Sequence, residues 1–393
     1  MLLIHVTTVP ETFWLLHGQI SYMKKRGFAV QGVSSPGEPL QQTRDREKIP
    51  MHIVKMSRRI TPGADMTALA KLFHLFRSLQ PAIVHAHTPK GGLLGVMAAR
   101  LARVPVVIYG LRGLPFITAS GWKRRVLRFS EAVACRLAHR VIANSKANLQ
   151  AVVTRGLCPS EKIFVPAAGS SNGVDARDRF NPHKKPKEIR EQIRRQHRLP
   201  LEALVLGFVG RVVKEKGIVE LEAAWQGLRE RFSHLYLLLV GPTEPQDPVP
   251  AAVLARLRQD QRVRFTERVM DAAPFYMAMD ILTLPTYREG FPNTPLEAAA
   301  MEIPVVATDV DGCPEAVQDN VTGLLVPPRD SLALAHAIQA LIVDPEKRTK
   351  MGRAGRARVL RDFRPEVIWQ QLYEHYLDLL KSAQLPLPHR IPT

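Results

Sequence analysis

Short apolar runs alternate with amphipathic stretches along most of the chain. Residues 2–9, LLIHVTTV, read as a buried strand. Residues 14–27 space their apolar positions as a helix stopped by Gly27, and FAVQGVSS follows as a strand. A helix is predicted over 65–80 with Asp65 as its cap, then a strand at AIVHAHT, a helix over 91–104 and a strand at PVVIYGL. A long helix over 122–138 and a strand at RVIANS complete this half. The pattern breaks over 177–200, a polar, Pro-containing stretch with nine Lys/Arg against three acids. Alternation then resumes with a strand at 203–210, a helix at 217–231, and strands at YLLLVG, RVRFTE and ILTLPT. A helix at 294–301, strands at PVVATDV and GLLVPP, and a final helix over 366–382 follow. Such alternation predicts an α/β architecture of two doubly wound, Rossmann-like domains, each a parallel sheet covered on both faces. The expected division is a first domain over 1–180, a basic linker over 181–200, a second domain over 201–365, and a returning helix with tail over 366–393. Ligands of such sheets bind at the carboxyl ends of strands, and two domains offer a cleft between them.

Composition narrows the class. At 393 residues, 46% hydrophobic and 23% charged, the chain has the profile of a globular protein of two or three domains. No apolar run reaches the roughly 18 residues needed to span a bilayer. MLLIHVTTVPETFW lacks a basic start and a small-residue cleavage site, so it reads as a strand and not as a secretion signal. Cys135, Cys158 and Cys313 lie far apart without metal-ligand spacing, as expected of reduced thiols in a cytoplasmic protein. Charge changes the picture most: 55 basic against 36 acidic residues give +19, which suits an anionic partner. Nucleic acid, a phosphorylated small molecule and an acidic membrane face all fit that sign.

Two segments carry candidate chemistry. In GFVGRVVKEKG, Gly210 ends a strand, Arg211 and Lys216 follow, and Gly217 precedes a helix. Glycine permits close approach of backbone to a ligand, and a helix start favours an anion. Arg211 and Lys216 would then clamp a diphosphate, the first by planar hydrogen bonding and the second as a point charge. An ordinary exposed basic loop is the plainer alternative. In YREGFPNTPLE, Glu289 sits in a loop after a strand and Glu297 inside the first turn of a helix starting near Thr294 or Pro295. Acids placed for the helix dipole would explain Glu297, but not Glu289 together with Gly290-Phe291-Pro292-Asn293-Thr294.

The order strand–Gly-Arg-x4-Lys-Gly, then Glu-Gly-Phe-Pro-x4-Glu, then PVVATDVDGCPEAV and TGLLV, resembles the carboxyl half of a retaining glycosyltransferase of family 4, which has the GT-B fold. TVPETFWLLHGQISYMKKRGFAV, IVHAHTPKGGLLGVMAARLARVPVVIYGLRGLPF and GSSNGVD resemble the branch that builds capsule, O-antigen and glycan repeat units on a polyprenyl-diphosphate lipid. The resemblance implies roles. Glu289 contacts the transferred sugar; Gly290, Phe291 and Pro292 shape its pocket; the amides of Asn293 and Thr294 hold the distal phosphate. Arg211 and Lys216 neutralise the diphosphate leaving group behind Gly210, and Glu297 binds the ribose hydroxyls. The segment from Arg264 to Val269, with Arg268, resembles the loop that lines the base. It further implies a UDP-sugar donor carrying a hexose or N-acetylhexosamine, a lipid-linked sugar acceptor, and no metal or other cofactor. Many family members carry His-Gly where this chain has Arg112-Gly113. Arginine stays protonated, so Arg112 cannot act as a general base, but it can contact a phosphate or sugar oxygen. His85 and His87 stand near the same strand ends, read first as hydrogen-bonded structural histidines; His87 and Asn172 are the residues assigned to the acceptor side or cleft. Asp175 is read as fixing a turn.

The stretch 121–142 is amphipathic. Trp122, Val126, Phe129, Val133 and Leu137 follow one face; Arg125, Arg128, Arg136, His139 and Arg140 follow another. It reads equally as a core helix with a solvated basic face or as a helix lying on anionic lipid. The acceptor class implied by the resemblance favours the second, with Trp122, Arg125 and Arg128 on the cytoplasmic face of the inner membrane. A nucleotide-sugar epimerase of related architecture is the rival enzyme, and a basic nucleic-acid-binding protein the rival of another class. The first needs an acid/base constellation around the sugar; the second needs a nucleic-acid module or aromatics interleaved with the basic stretches.

Overall fold

The computed structural model describes residues 1–388, and of Lys187 the backbone only. The chain forms two units: residues 1–172 with the helix from Pro365 onward, and residues 173–364. The first break therefore falls before Gly173 and not at 180. Residues 389–393 of the expected tail lie outside the described residues.

In the first unit the strands are β1 (Leu2–Val6), β2 (Ala29–Ser34), β3 (Met51–Ile53), β4 (Ile83–His87), β5 (Val106–Leu111), β6 (Arg140–Ala143) and β7 (Ile163–Phe164). They form one parallel sheet in the order β3-β2-β1-β4-β5-β6-β7. The order reverses between β1 and β4, which opens a crevice at their carboxyl ends. β4 and β5 are buried throughout, the reason both read as near-continuous apolar runs. One face packs on Leu72, Phe76, Leu94 and Val96. The other packs on Phe13, Ile20, Ile368, Leu372 and Tyr376, so the C-terminal helix Pro365–Ser382 is part of this unit's core.

Two expectations here need correction. The helix expected over 14–27 is a 3-10 turn, Pro10–Leu16, followed by a short helix, Gln19–Lys25. Gly18 separates them at φ +77, and a Cβ there would come within 2.5 Å of the Trp369 ring. Asp65 is not a helix cap: the helix runs Pro62–Leu79, and the Asp65 carboxylate accepts from the Thr61 N–H and hydroxyl and from Lys90. Asn172, assigned to the acceptor side or cleft, donates to the His17 carbonyl and accepts from Trp369 Nε1 at 2.6 Å.

The second unit holds β8 (Leu204–Val209), β9 (Leu235–Val240), β10 (Val263–Phe265), β11 (Ile281–Leu284), β12 (Val305–Thr308) and β13 (Gly323–Val326). These form a parallel sheet in the order β10-β9-β8-β11-β12-β13, with its reversal between β8 and β11. The stretch 181–200, expected as a linker, belongs to this unit. Its helix Lys187–Gln196 carries Arg194, which is 1% exposed and donates to the carbonyls of Ala278, Pro200 and Ala203 and to Asp280. Asp280 in turn accepts from the Val205 N–H at 2.7 Å and from Arg190. The basic run is thus a clamp on the starts of β8 and β11. Asp175 fixes a turn, accepting from the N–H groups of Arg177, Asp178 and Arg179.

Candidate active site

In the second unit the loop after β8 and the loop after β11 meet at the switch point. Gly217 makes the approach possible: at φ +73, its added Cβ would lie 1.8 Å from the Pro285 carbonyl oxygen. The contact is stitched by the Tyr287 N–H, which donates to the Glu215 carbonyl at 2.9 Å. Three cations and three carboxylates gather there. Lys216 Nζ pairs with Glu289. Arg211 donates to Glu244 at 3.0 Å and to Glu215 at 2.9 Å, while Arg288 donates to the other Glu215 oxygen at 2.9 Å. Burial works against the charge on Arg211, but Glu244 and Glu215 outweigh it and raise its pKa. Burial likewise opposes ionisation of Glu215, and Arg288 and Arg211 overcome it, so its pKa is lowered. Lys216 and Glu289, read apart in the sequence, are therefore direct partners. Arg211, in the same loop as Lys216, is held by acids the sequence did not single out.

The rest of the Glu-Gly-Phe-Pro segment leads from this cluster into a helix. The helix is Asn293–Ala300, one residue earlier than expected, which puts Glu297 in its second turn. Asn293 and Thr294 occupy the first turn, where N–H groups point out of the helix start. Phe291 is 7% exposed and packs on Phe363, so it wedges the loop from below and does not face open space. Gly312 backs onto Gly290, with room for no side chain: a Cβ would meet the Gly290 carbonyl oxygen at 2.3 Å. Glu297 accepts from the Tyr276 hydroxyl at 2.8 Å, and burial raises its pKa. On the other side of β8, Gly241 backs onto the Gly210 carbonyl, and its N–H donates to Thr266 Oγ1 at 3.2 Å. That chain of contacts brings the loop holding exposed Arg268 and half-buried Val269 toward Gly210. Arg264 itself donates to the His197 and Arg198 carbonyls and serves structure.

In the first unit, Arg112 follows β5. Its carbonyl accepts from Asn144, and its Nη2 lies 3.3 Å from His87 Nδ1. Burial pushes its pKa down to about 10, opposed by Tyr376, so it remains a cation at neutral pH. His87 Nε2 lies 2.9 Å from His5 Nδ1, and His85 Nδ1 lies 2.7 Å from the Tyr376 hydroxyl. All three histidines are buried, and burial drives their pKa values down, that of His5 to about 3. Among the described residues, these three form the grouping of ligand-type side chains close enough to share an ion, with one nitrogen each within 4.8 Å. A guanidinium on the same cluster works against a cation there. Arg112, His87, Asn144, Gln19, Ser170 and Ser171 line a recess of about 20 Å³, room for about one water molecule.

Residues 203–344 match the family model described as glycosyl transferases group 1, and residues 16–169 match a glycosyl transferase 4-like domain. The chain is 35% identical over 380 residues to the capsular polysaccharide biosynthesis glycosyltransferase CapM of Staphylococcus aureus, covering 97% of this chain and 98% of that one. The chain belongs to this family of GT-B glycosyltransferases. A second relative of the glycosyltransferase, 23% identical over 356 residues and 90% of each chain, is the UDP-Gal:alpha-D-GlcNAc-diphosphoundecaprenol alpha-1,3-galactosyltransferase of Escherichia coli. The fold of the present chain matches that of Anabaena HepE, solved with UDP and glucose, at a TM-score of 0.79 and 23% identity over 96% of this chain and all of that one. The UDP-GlcNAc 2-epimerase of Neisseria meningitidis, solved with UDP-GlcNAc, shares the fold at a TM-score of 0.70 and 16% identity, over 96% of this chain and all of that one. Fold alone therefore does not separate transferase from epimerase; the sequence relationship to CapM does.

Several residues of this glycosyltransferase escaped the sequence reading. Glu215 and Glu244 carry no motif signal, because their function is to hold cations. Arg288 adjoins Glu289 and could have been paired with it on charge alone. His5 became visible only when β1 and β4 were placed in register, His5 opposite His85. The amphipathic helix runs Gly121–Leu137, and the first half of its apolar stripe is exposed, whereas Leu137 packs on the core. Trp122 is 68% and Phe129 72% exposed, while Glu131, Ala134 and Cys135 are the helix's buried residues. Arg125 and Arg128 are exposed beside that stripe. Among the described residues, no helix is long and apolar enough to cross a membrane.

Proposed function

We propose that this glycosyltransferase moves a hexose or N-acetylhexosamine from a UDP-sugar to a saccharide carried on a lipid diphosphate, with retention of anomeric configuration, in building a cell-surface polysaccharide. The observation that carries the reading is the cluster at the second unit's switch point, where Arg211, Lys216 and Arg288 from two loops are each held by a carboxylate. A diphosphate can take the place of those carboxylates as partner to the cations. As the glycosidic bond to the donor breaks, charge grows on that diphosphate, and preorganised cations are most effective against developing charge. Arg211 and Lys216 supply this stabilisation without a metal. Glu289, freed from Lys216, accepts from hydroxyls of the transferred sugar, which develops oxocarbenium character. Retention then follows from attack on the face the diphosphate is leaving. Glu297 takes the ribose hydroxyls, as a raised-pKa carboxylate already engaged with one hydroxyl, that of Tyr276. Arg112 contacts an oxygen of the acceptor.

The lipid acceptor is supported by what the Escherichia coli relative is named for and by the helix Gly121–Leu137. Exposed Trp122, Val126 and Phe129 beside Lys123, Arg124, Arg125 and Arg128 make the pattern of a helix lying in an anionic interface, on the cytoplasmic face of the membrane where the carrier lipid is loaded. The test is product analysis. Incubation with a panel of UDP-sugars and a short polyprenyl-diphosphate saccharide should extend the acceptor by one sugar with the donor's anomeric configuration, read by NMR of the product. An inverted linkage would remove retention, and a donor epimerised without acceptor would remove the transferase reading of this site.

A further inference from the structure

We propose that His5 is a positioning residue for Arg112: it holds His87 in the tautomer that accepts a hydrogen bond from the guanidinium. This rests on the reading of Arg112 as a group that contacts a substrate oxygen. The direction of every bond follows from the one partner that cannot accept. A guanidinium only donates. Its Nη2 lies 3.3 Å from His87 Nδ1, so Nδ1 presents its lone pair. A neutral imidazole then carries its proton on Nε2. That nitrogen lies 2.9 Å from His5 Nδ1, which accepts, and the His5 proton resides on Nε2. The opposite tautomer of His87 would set an N–H against the guanidinium, and His5 would then have to donate from Nδ1.

The surroundings keep the array in place. His5 and His87 stack at 5.2 Å and 20°, and His85 and His87 lie 4.0 Å apart, with His85 anchored on Tyr376. Gly110 lies beside them in β5, and a Cβ there would fall 2.5 Å from His87 Nδ1 and 3.1 Å from His85 Nε2. Glycine is thus what gives the rings room beside Arg112. Burial keeps the rings neutral, as the relay requires. The Arg112 Nη2 faces His87, and its backbone carbonyl accepts from Asn144. Its Nε is buried without a partner among the described residues. Arg112 and His87 both line the recess.

The experiment is a long-range ¹H–¹⁵N correlation spectrum of the full chain labelled in its histidines, recorded at neutral pH. His87 and His5 should both appear as Nε2–H tautomers. His5→Asn places an amide oxygen where Nδ1 accepts and should keep the His87 tautomer, whereas His5→Leu should mix the two. In the UDP-sugar and lipid-acceptor assay, His5→Leu should lower kcat about tenfold, the scale of one misdirected hydrogen bond, with KM for the donor unchanged. His5→Asn should restore most of that rate, and in a His87→Asn background His5→Leu should cost nothing further. A His87 protonated on Nδ1, equal kcat losses for Asn and Leu, or stoichiometric zinc that co-purifies and is lost with His5→Leu would overturn the proposal. If no donor and acceptor pair turns over, the functional reading falls while the tautomer spectrum still decides the role of His5.

Discussion

Removing Lys216 should weaken UDP binding, whereas removing its partner Glu289 should not. The two side chains are 16% and 14% exposed, between the surface and the buried regimes. Exposed pairs contribute about 0–1 kcal/mol, and breaking a buried pair costs about 3–5 kcal/mol. Either Lys216→Ala or Glu289→Ala should thus lower unfolding free energy by roughly 1–3 kcal/mol. Binding separates them. Lys216 gives a diphosphate one charge-assisted hydrogen bond, about 1.5–3 kcal/mol, so Lys216→Ala should weaken UDP roughly 10–150-fold. Glu289 competes with the diphosphate for the same ammonium. Its removal should leave UDP binding unchanged or tighten it by up to about tenfold, while transfer falls about 100-fold or more because the sugar contact is lost. Calorimetric titration with UDP at fixed ionic strength gives the first quantity, and release of UDP from a turning-over donor gives the second. Equal loss of UDP affinity in both variants, or a Glu289→Ala enzyme that turns over at the parent rate, would refute the reasoning.

Three further outcomes are expected. Gly217→Ala should cost roughly 3 kcal/mol or more, since it combines a left-handed backbone with a clash on the Pro285 carbonyl; a urea midpoint equal to the parent's would refute the close approach. Burial pushes the Glu131 carboxyl up to about 7 from 4.5, so the unfolded chain ionises first and stability declines as pH rises from 4.5 toward 7. The decline should total about 3 kcal/mol and vanish in Glu131→Gln, as read by denaturation at pH values on either side of that window. Arg125→Ala with Arg128→Ala should weaken partitioning onto vesicles containing anionic lipid by about 30-fold, at about 1 kcal/mol per charge near the surface. Unchanged partitioning would remove the membrane role of this helix.

Much of the architecture was legible because parallel strands buried on both faces announce themselves as short apolar runs; LVLGFV and VVIYGL are such strands. The short edge strand Met51–Ile53 and the helix Glu38–Glu47 have no comparable apolar period, and both were missed. Gly18 was invisible as a breaker, because its conformation is imposed by Trp369, far along the chain. The basic run after 177 looked like a linker because sequence shows charge and not the carbonyls that use it. Arg194, Arg356 and Arg358 all donate to backbone oxygens, so part of the +19 is internal scaffolding and not a surface for a polyanion. In the candidate site the residues that touch ligands in the proposed reaction carry motifs, whereas their holders, Glu215, Glu244, Tyr276 and His5, do not. Such residues answer to geometry, and several side-chain types can satisfy it.

The most direct test of the central claim is UDP release from a panel of UDP-sugars, measured with and without a polyprenyl-diphosphate-linked saccharide. Release is expected only with one particular donor and the lipid acceptor together. Release from no pair, combined with no binding of UDP, would contradict the claim.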